Sequence, residues 1–122
     1  VKSGTVTPQE GMEQLGCIDA ASCLAGAIFA CLTYPNDFDS AIITAVNHSG
    51  FSAATGAMVG AILGARLGAA SLPEFYLESL ECIEPLNVIA EDILRAAPTL
   101  SVFDDSWDHK YVQGLPPEGI AL

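Results

Sequence analysis

Apolar residues recur along this chain with helical spacing, and no run alternates with period two over a useful length. From about Gly16 to Thr33, Leu24, Ile28, Cys31 and Leu32 fall at i, i+4, i+7 and i+8. That run is apolar almost all round, which predicts a buried helix. Tyr34, Pro35 and Asn36 end it, and Asn36 with Asp39 three residues on resembles the capped start of a second helix. Phe38, Ile42, Ala45 and Val46 carry this helix to about Asn47, and His48 to Ser52 reads as a loop. A third helix is expected over about Ala54 to Leu67. Ser71 and Glu74 form a capping-box pattern around Pro73 that opens a short helix with Phe75, Tyr76 and Leu80. Pro85 opens a fifth, with Leu86, Ile89, Ala90, Ile93 and Leu94 on one face and Asn87, Glu91, Asp92 and Arg95 on the other. The fold class is therefore all-α, a helical bundle in one domain or fragment over 1–122. Its core spans about 16–97, and a loose acidic tail covers about 98–122.

Charge changes this picture. Four Lys and Arg stand against fifteen Asp and Glu, a formal charge of −11. A nucleic-acid duplex or an anionic membrane face repels such a chain, which argues against either as partner. Between Gln14 and Leu72 the only charges are Asp19, Asp37, Asp39 and Arg66. So little polar surface leaves that stretch unable to face water on one side, and the expectation is that it packs against something besides itself. The chain reads as incomplete. Its first residues carry neither a signal-peptide pattern nor an initiator Met.

Cys17, Cys23, Cys31 and Cys82 have no CxxC spacing, and neither a disulfide framework nor a zinc site is expected. Buried free thiols fit a reducing compartment, and the cytoplasm is the expected location. Gly56, Gly60, Gly64 and Gly68 are spaced by four and form one stripe on the third helix. Each costs about 1 kcal/mol of helix stability against Ala, so the stripe implies close packing of another backbone. In an apolar stretch the same spacing is the small-xxx-small pattern of membrane helix pairs. Arg66, the dominance of Ala and Gly, and the lack of a basic flank argue against a span.

The string Ala45-Val46-Asn47-His48-Ser49-Gly50, then Thr55-Gly56, then Gly60 to Ala65 and the Leu72-Pro73-Glu74 exit resembles the C-terminal half of the ADP-ribosylglycohydrolases, the dinitrogenase-reductase-activating family. The likeness runs over roughly Gly16 to Leu94. It implies an all-α bundle and metal-dependent removal of ADP-ribose from modified proteins. In that family two magnesium ions lie between an N-terminal Thr-Asp-Asp motif and this loop, which usually reads Asn-His-Ser-Gly-Asp-Ser-Asp-Ser/Thr-Thr-Gly. The ions would orient the ADP-ribose diol and activate a water.

The chain departs from the family at the chemistry. The carboxylate positions are Phe51 and Ala53, and the hydroxyl position is Ala54. None offers an oxygen, and no Thr-Asp-Asp motif is present. No metal or other cofactor is expected in this chain, and no catalytic residue is assigned. Ser49, Gly50, Ser52 and Thr55 remain as candidate substrate-binding residues, although Ser and Thr in such loops more often bond local backbone. His48 reads as a structural hydrogen bonder. Asp104, Asp105, Asp108 and His109 read as a solvated acidic tail. The expected protein is a C-terminal fragment or degenerate member of the family, inactive alone, that associates with itself or with a missing N-terminal half. The alternative is a small membrane-associated or self-associating helical protein that uses the glycine stripe.

Overall fold

A computed structural model describes residues 6–94. The chain divides into two units, Val1–Ser79 and Leu80–Leu122. The first holds α1 (Pro8–Leu15), α2 (Ala20–Thr33), α3 (Phe38–Val46), α4 (Ser52–Leu67), a 3₁₀ turn (Ala69–Ser71) and the single-turn α5 (Phe75–Glu78). Among the described residues of the second stands α6 (Ile83–Leu94), which begins two residues ahead of Pro85. There is no strand among the described residues, so the fold is all-α. The Asp104–His109 cluster and Arg95 lie outside the described residues.

α1 was not foreseen from the apolar spacing. A capping box starts it: Glu10 N–H donates to Thr7 Oγ1 at 3.2 Å, and Thr7 N–H donates to Glu10 Oε2 at 2.8 Å. Gly16 and Cys17 then take positive φ of 74° and 48°, which breaks the chain and delays α2 to Ala20. Asp19 caps α2 by accepting from Ser22 N–H at 2.8 Å, while Ser22 Oγ accepts from Asp19 N–H at 3.1 Å. Asp37, not Asn36, caps α3, accepting from Ser40 N–H at 3.1 Å and Ser40 Oγ–H at 2.6 Å. Nor does the Ser71–Glu74 pattern cap α5: Glu74 stands at its N-cap in helical conformation without a side-chain bond. α5 is instead fastened to α3 by Tyr76, whose hydroxyl donates to Asp39 Oδ1 at 2.7 Å and whose ring meets Phe38 edge-on at 5.4 Å.

α4 packs on both α2 and α3, and α1 lies against α2 and α3. Small residues fill their interfaces. Ala27, Ala30, Cys31, Ala41, Ala45, Val59 and Leu63 form one core cluster, and Met12, Cys17 and Cys23 form a second. The expected apolar stripe of α2 turns out to be split. Cys31 is buried, but Leu24, Ile28 and Leu32 are 48%, 46% and 75% exposed. Val46 on α3 is also exposed. The helices approach through Ala, Cys and Gly, and the larger aliphatics of α2 point outward.

The glycine stripe also differs from expectation within the chain. A Cβ at Gly56 would come within 2.7 Å of Val46 Cγ1, so that position is closely packed. At Gly60 and Gly64 no atom beyond the adjoining helix backbone lies within 4 Å of a Cβ. Gly68 is outside the helix, a C-cap with φ of 78° whose N–H bonds Gly64 O. This break leaves α4 with 16 residues. Among the described residues no helix is long and apolar enough to cross a membrane.

Candidate functional site at the head of α4

The loop between α3 and α4 brings Ser49, Gly50, Ser52 and Thr55 together with positions 51, 53 and 54. Its entry is braced by His48. Gly50 N–H can only donate, so His48 Nδ1 accepts from it at 3.0 Å, and Nε2 keeps the ring proton for Ala45 O at 2.9 Å. Ser49 is exposed and bonded to Glu13 of α1. Its N–H donates to Oε1 at 3.0 Å and its hydroxyl donates to Oε2. These two bonds, the hydroxyl one first, hold the Glu13 carboxyl below its ordinary range. Phe51 N–H donates to Cys17 O at 2.8 Å. Gly50 lies so close to the Gly16–Cys17 backbone that a Cβ would collide with the carbonyl oxygens of both.

α4 starts at Ser52 without a side-chain cap. Ser52 Oγ–H faces Gly50 O at 3.3 Å and His48 O at 3.4 Å. Thr55 is fully buried, and its hydroxyl donates to Phe51 O at 3.1 Å. The hydroxyls at 49, 52 and 55 thus bond to Glu13 or to loop backbone. Phe51 is 59% exposed, and Ala53 and Ala54 are exposed beside it. Glu13 is the member of this cluster that the sequence reading missed. It sits 36 residues from its partner with no local pattern to announce it.

These donors do not fit a dinuclear magnesium centre. Magnesium needs several hard oxygens in near-octahedral array. The head of α4 offers a phenyl ring and two methyl groups at 51, 53 and 54, and the carboxylate bonded to the loop is taken by Ser49. Among the described residues no three His, Cys, Asp or Glu side chains are grouped to hold a metal ion. A nucleophilic relay is not assembled either. Ser49 donates directly to Glu13, while both His48 nitrogens are engaged elsewhere, so no imidazole stands between hydroxyl and carboxylate.

The class of protein is thus an all-α one in which a tightly held loop presents the first turn of a glycine-rich helix. The ADP-ribosylglycohydrolase family profile matches residues 2–101 of the chain. The chain belongs to the ADP-ribosylglycohydrolase family. Comparisons with curated proteins and with solved structures gave no match.

Proposed function

We propose that this chain is a catalytically silent member of its family, supplying the C-terminal helices of an ADP-ribosylglycohydrolase-like assembly without supplying metal ligands. The observation that carries this reading is the identity of positions 51, 53 and 54 at the head of α4: Phe, Ala and Ala. A phenyl ring and two methyl groups cannot bind the ions that would orient an ADP-ribose diol and activate water. The chain alone should release no ADP-ribose from a modified arginine or serine peptide in the presence of magnesium. Turnover by the purified chain that disappears with Ser52→Ala would overturn the reading. Grafting Phe51→Asp, Ala53→Asp and Ala54→Ser should not create turnover, because the opposing carboxylates are still lacking.

As a scaffold these helices need an opposing surface, either a second copy or a segment that carries the opposing half. The open space over Gly60 and Gly64, together with the exposed aliphatics of α2, supports this part of the reading. Light scattering of the chain at tens of micromolar tests the second-copy arm. A folded, monodisperse monomer would overturn this part of the reading, since the apolar helices would then close on each other within the chain.

A further inference from the structure

We infer that Glu13 is the positioning residue of the loop ahead of α4, a carboxylate that reaches across from α1 and sets where side chains 51–54 are presented. The inference goes beyond catalytic silence and holds whatever the loop meets. Both Glu13 oxygens serve one residue: Oε1 takes the Ser49 N–H at 3.0 Å and Oε2 takes the Ser49 hydroxyl. A two-pronged, charge-assisted grip fixes orientation as well as distance. Its base is firm. Met12, the neighbour of Glu13, is fully buried against Cys17 and Cys23. One residue earlier, Gly11 sits so close to the Phe29 ring that a Cβ would lie 2.6 Å from Cζ.

The other ties on the loop are of a different kind. Phe51 N–H to Cys17 O and the packing of Gly50 on the Gly16–Cys17 carbonyls are backbone contacts, and His48 braces the loop from within. Glu13 is the side chain from another element that joins them. Any ligand or partner that reads the head of α4 therefore also reads the position of α1.

Amide hydrogen exchange on the full chain tests this. In Glu13→Ala the Ser49 and Phe51 amides should exchange about fivefold faster, the upper end expected for losing a solvent-exposed charged contact. Core amides of Ala30, Ala45 and Leu63 should change by less than about twofold, since loop opening is local. Glu13→Gln should fall between, because its amide oxygen still accepts from Ser49 N–H and its NH₂ can face the hydroxyl. Unchanged loop exchange in Glu13→Ala overturns the inference. Acceleration of core and loop by the same factor also overturns it, since that marks a general stability role. If Glu13→Ala does not fold, Ser49→Ala decides: faster exchange confined to the loop supports the inference, and wild-type exchange ends it.

Discussion

At the scale of single residues, position 50 is the described glycine with least room for a side chain. A Cβ there would run into two backbone carbonyl oxygens, which cannot move aside as a flexible side chain would. Gly50→Ala should cost about 2 kcal/mol or more, in line with overpacking where nothing yields, read as a lowered denaturant midpoint. A midpoint equal to wild type would mean that the loop does not lie against Gly16 and Cys17. Tyr76 offers a spectroscopic counterpart. Burial first, then the bond to Asp39 and its charge, push the phenol from the ordinary 10 up to about 12. The group is neutral when protonated and its folded value is raised. Its contribution to stability is therefore fully present below 10 and lost as pH rises through about 12. In an ultraviolet titration one of the three tyrosines should ionise near the higher value, and Asp39→Asn should bring that step down. Identical titration curves for the two proteins would count against the latch between α3 and α5.

At the scale of elements, the caps make separable predictions. Asp37→Ala should lower the denaturant midpoint through loss of the α3 N-cap. Asn36→Ala should cost far less, because Asn36 instead accepts an exposed bond from Arg66 at 3.3 Å. Ser40, by its hydroxyl and then its N–H, holds Asp37 below the ordinary 3.8, and Ser22, by its N–H and then its hydroxyl, does the same for Asp19. For such depressed carboxyls the added stability is present above 3.8 and is lost as pH falls through the lower folded values. Asp37→Asn keeps a good cap but cannot titrate, so its melting temperature should drop less than wild type's between neutral pH and that acid range. Equal drops would remove Asp37 from the account. Gly60→Ala and Gly64→Ala, set in open space within a helix, should each stabilise the isolated chain by up to about 1 kcal/mol. A loss of stability on dilution in wild type that weakens or disappears in these variants would instead place a partner helix over that face.

How far these elements were legible depends on the range of the forces that make them. The Thr7–Glu10 capping box is a local sign of α1 and is readable in retrospect. Only Met12 and Leu15 gave that helix an apolar period, so spacing alone passed it over. The start of α2 moved because Cys17 takes a left-handed conformation that its side chain does not advertise. Periodicity found the apolar face of α2 but says nothing about what a face meets, and Leu24, Ile28 and Leu32 proved to be outside. The loop string pointed to the head of α4 and to the family. The Glu13–Ser49 grip is tertiary, and no pattern within either segment encodes it.

At the scale of the whole molecule, small side chains are sequestered and several large ones are displayed. Ala27, Ala30, Ala41 and Ala45 are fully buried while Ile18, Leu32 and Phe51 are each more than half exposed. Close helix contact through small residues gives good packing but removes little apolar area per residue from water. Covering the α2 face should therefore raise stability as well as association. Leu24→Gln with Ile28→Gln tests the point: in an isolated chain the pair should cost only about 1 kcal/mol, since roughly half of each side chain already meets solvent. A loss of several kcal/mol, typical of burying unpaired polar groups, would show that these positions are covered.

The outward row on α2 has a further consequence. None of the fourteen residues of that helix is charged, while the chain as a whole carries −11. Two copies meeting row to row gain apolar contact at a neutral strip, but their remaining surfaces repel over a Debye length, about 10 Å at 0.1 M salt. Salt weakens only the repulsion, and sulfate also strengthens apolar association by its exclusion from protein surface. Further clustering should therefore set in as ammonium sulfate is added, well before a chain with a polar α2 face would precipitate. Glutamine at 24, 28 and 32 should move that threshold to higher salt, and a threshold unmoved by the three substitutions would locate the adhesive surface elsewhere.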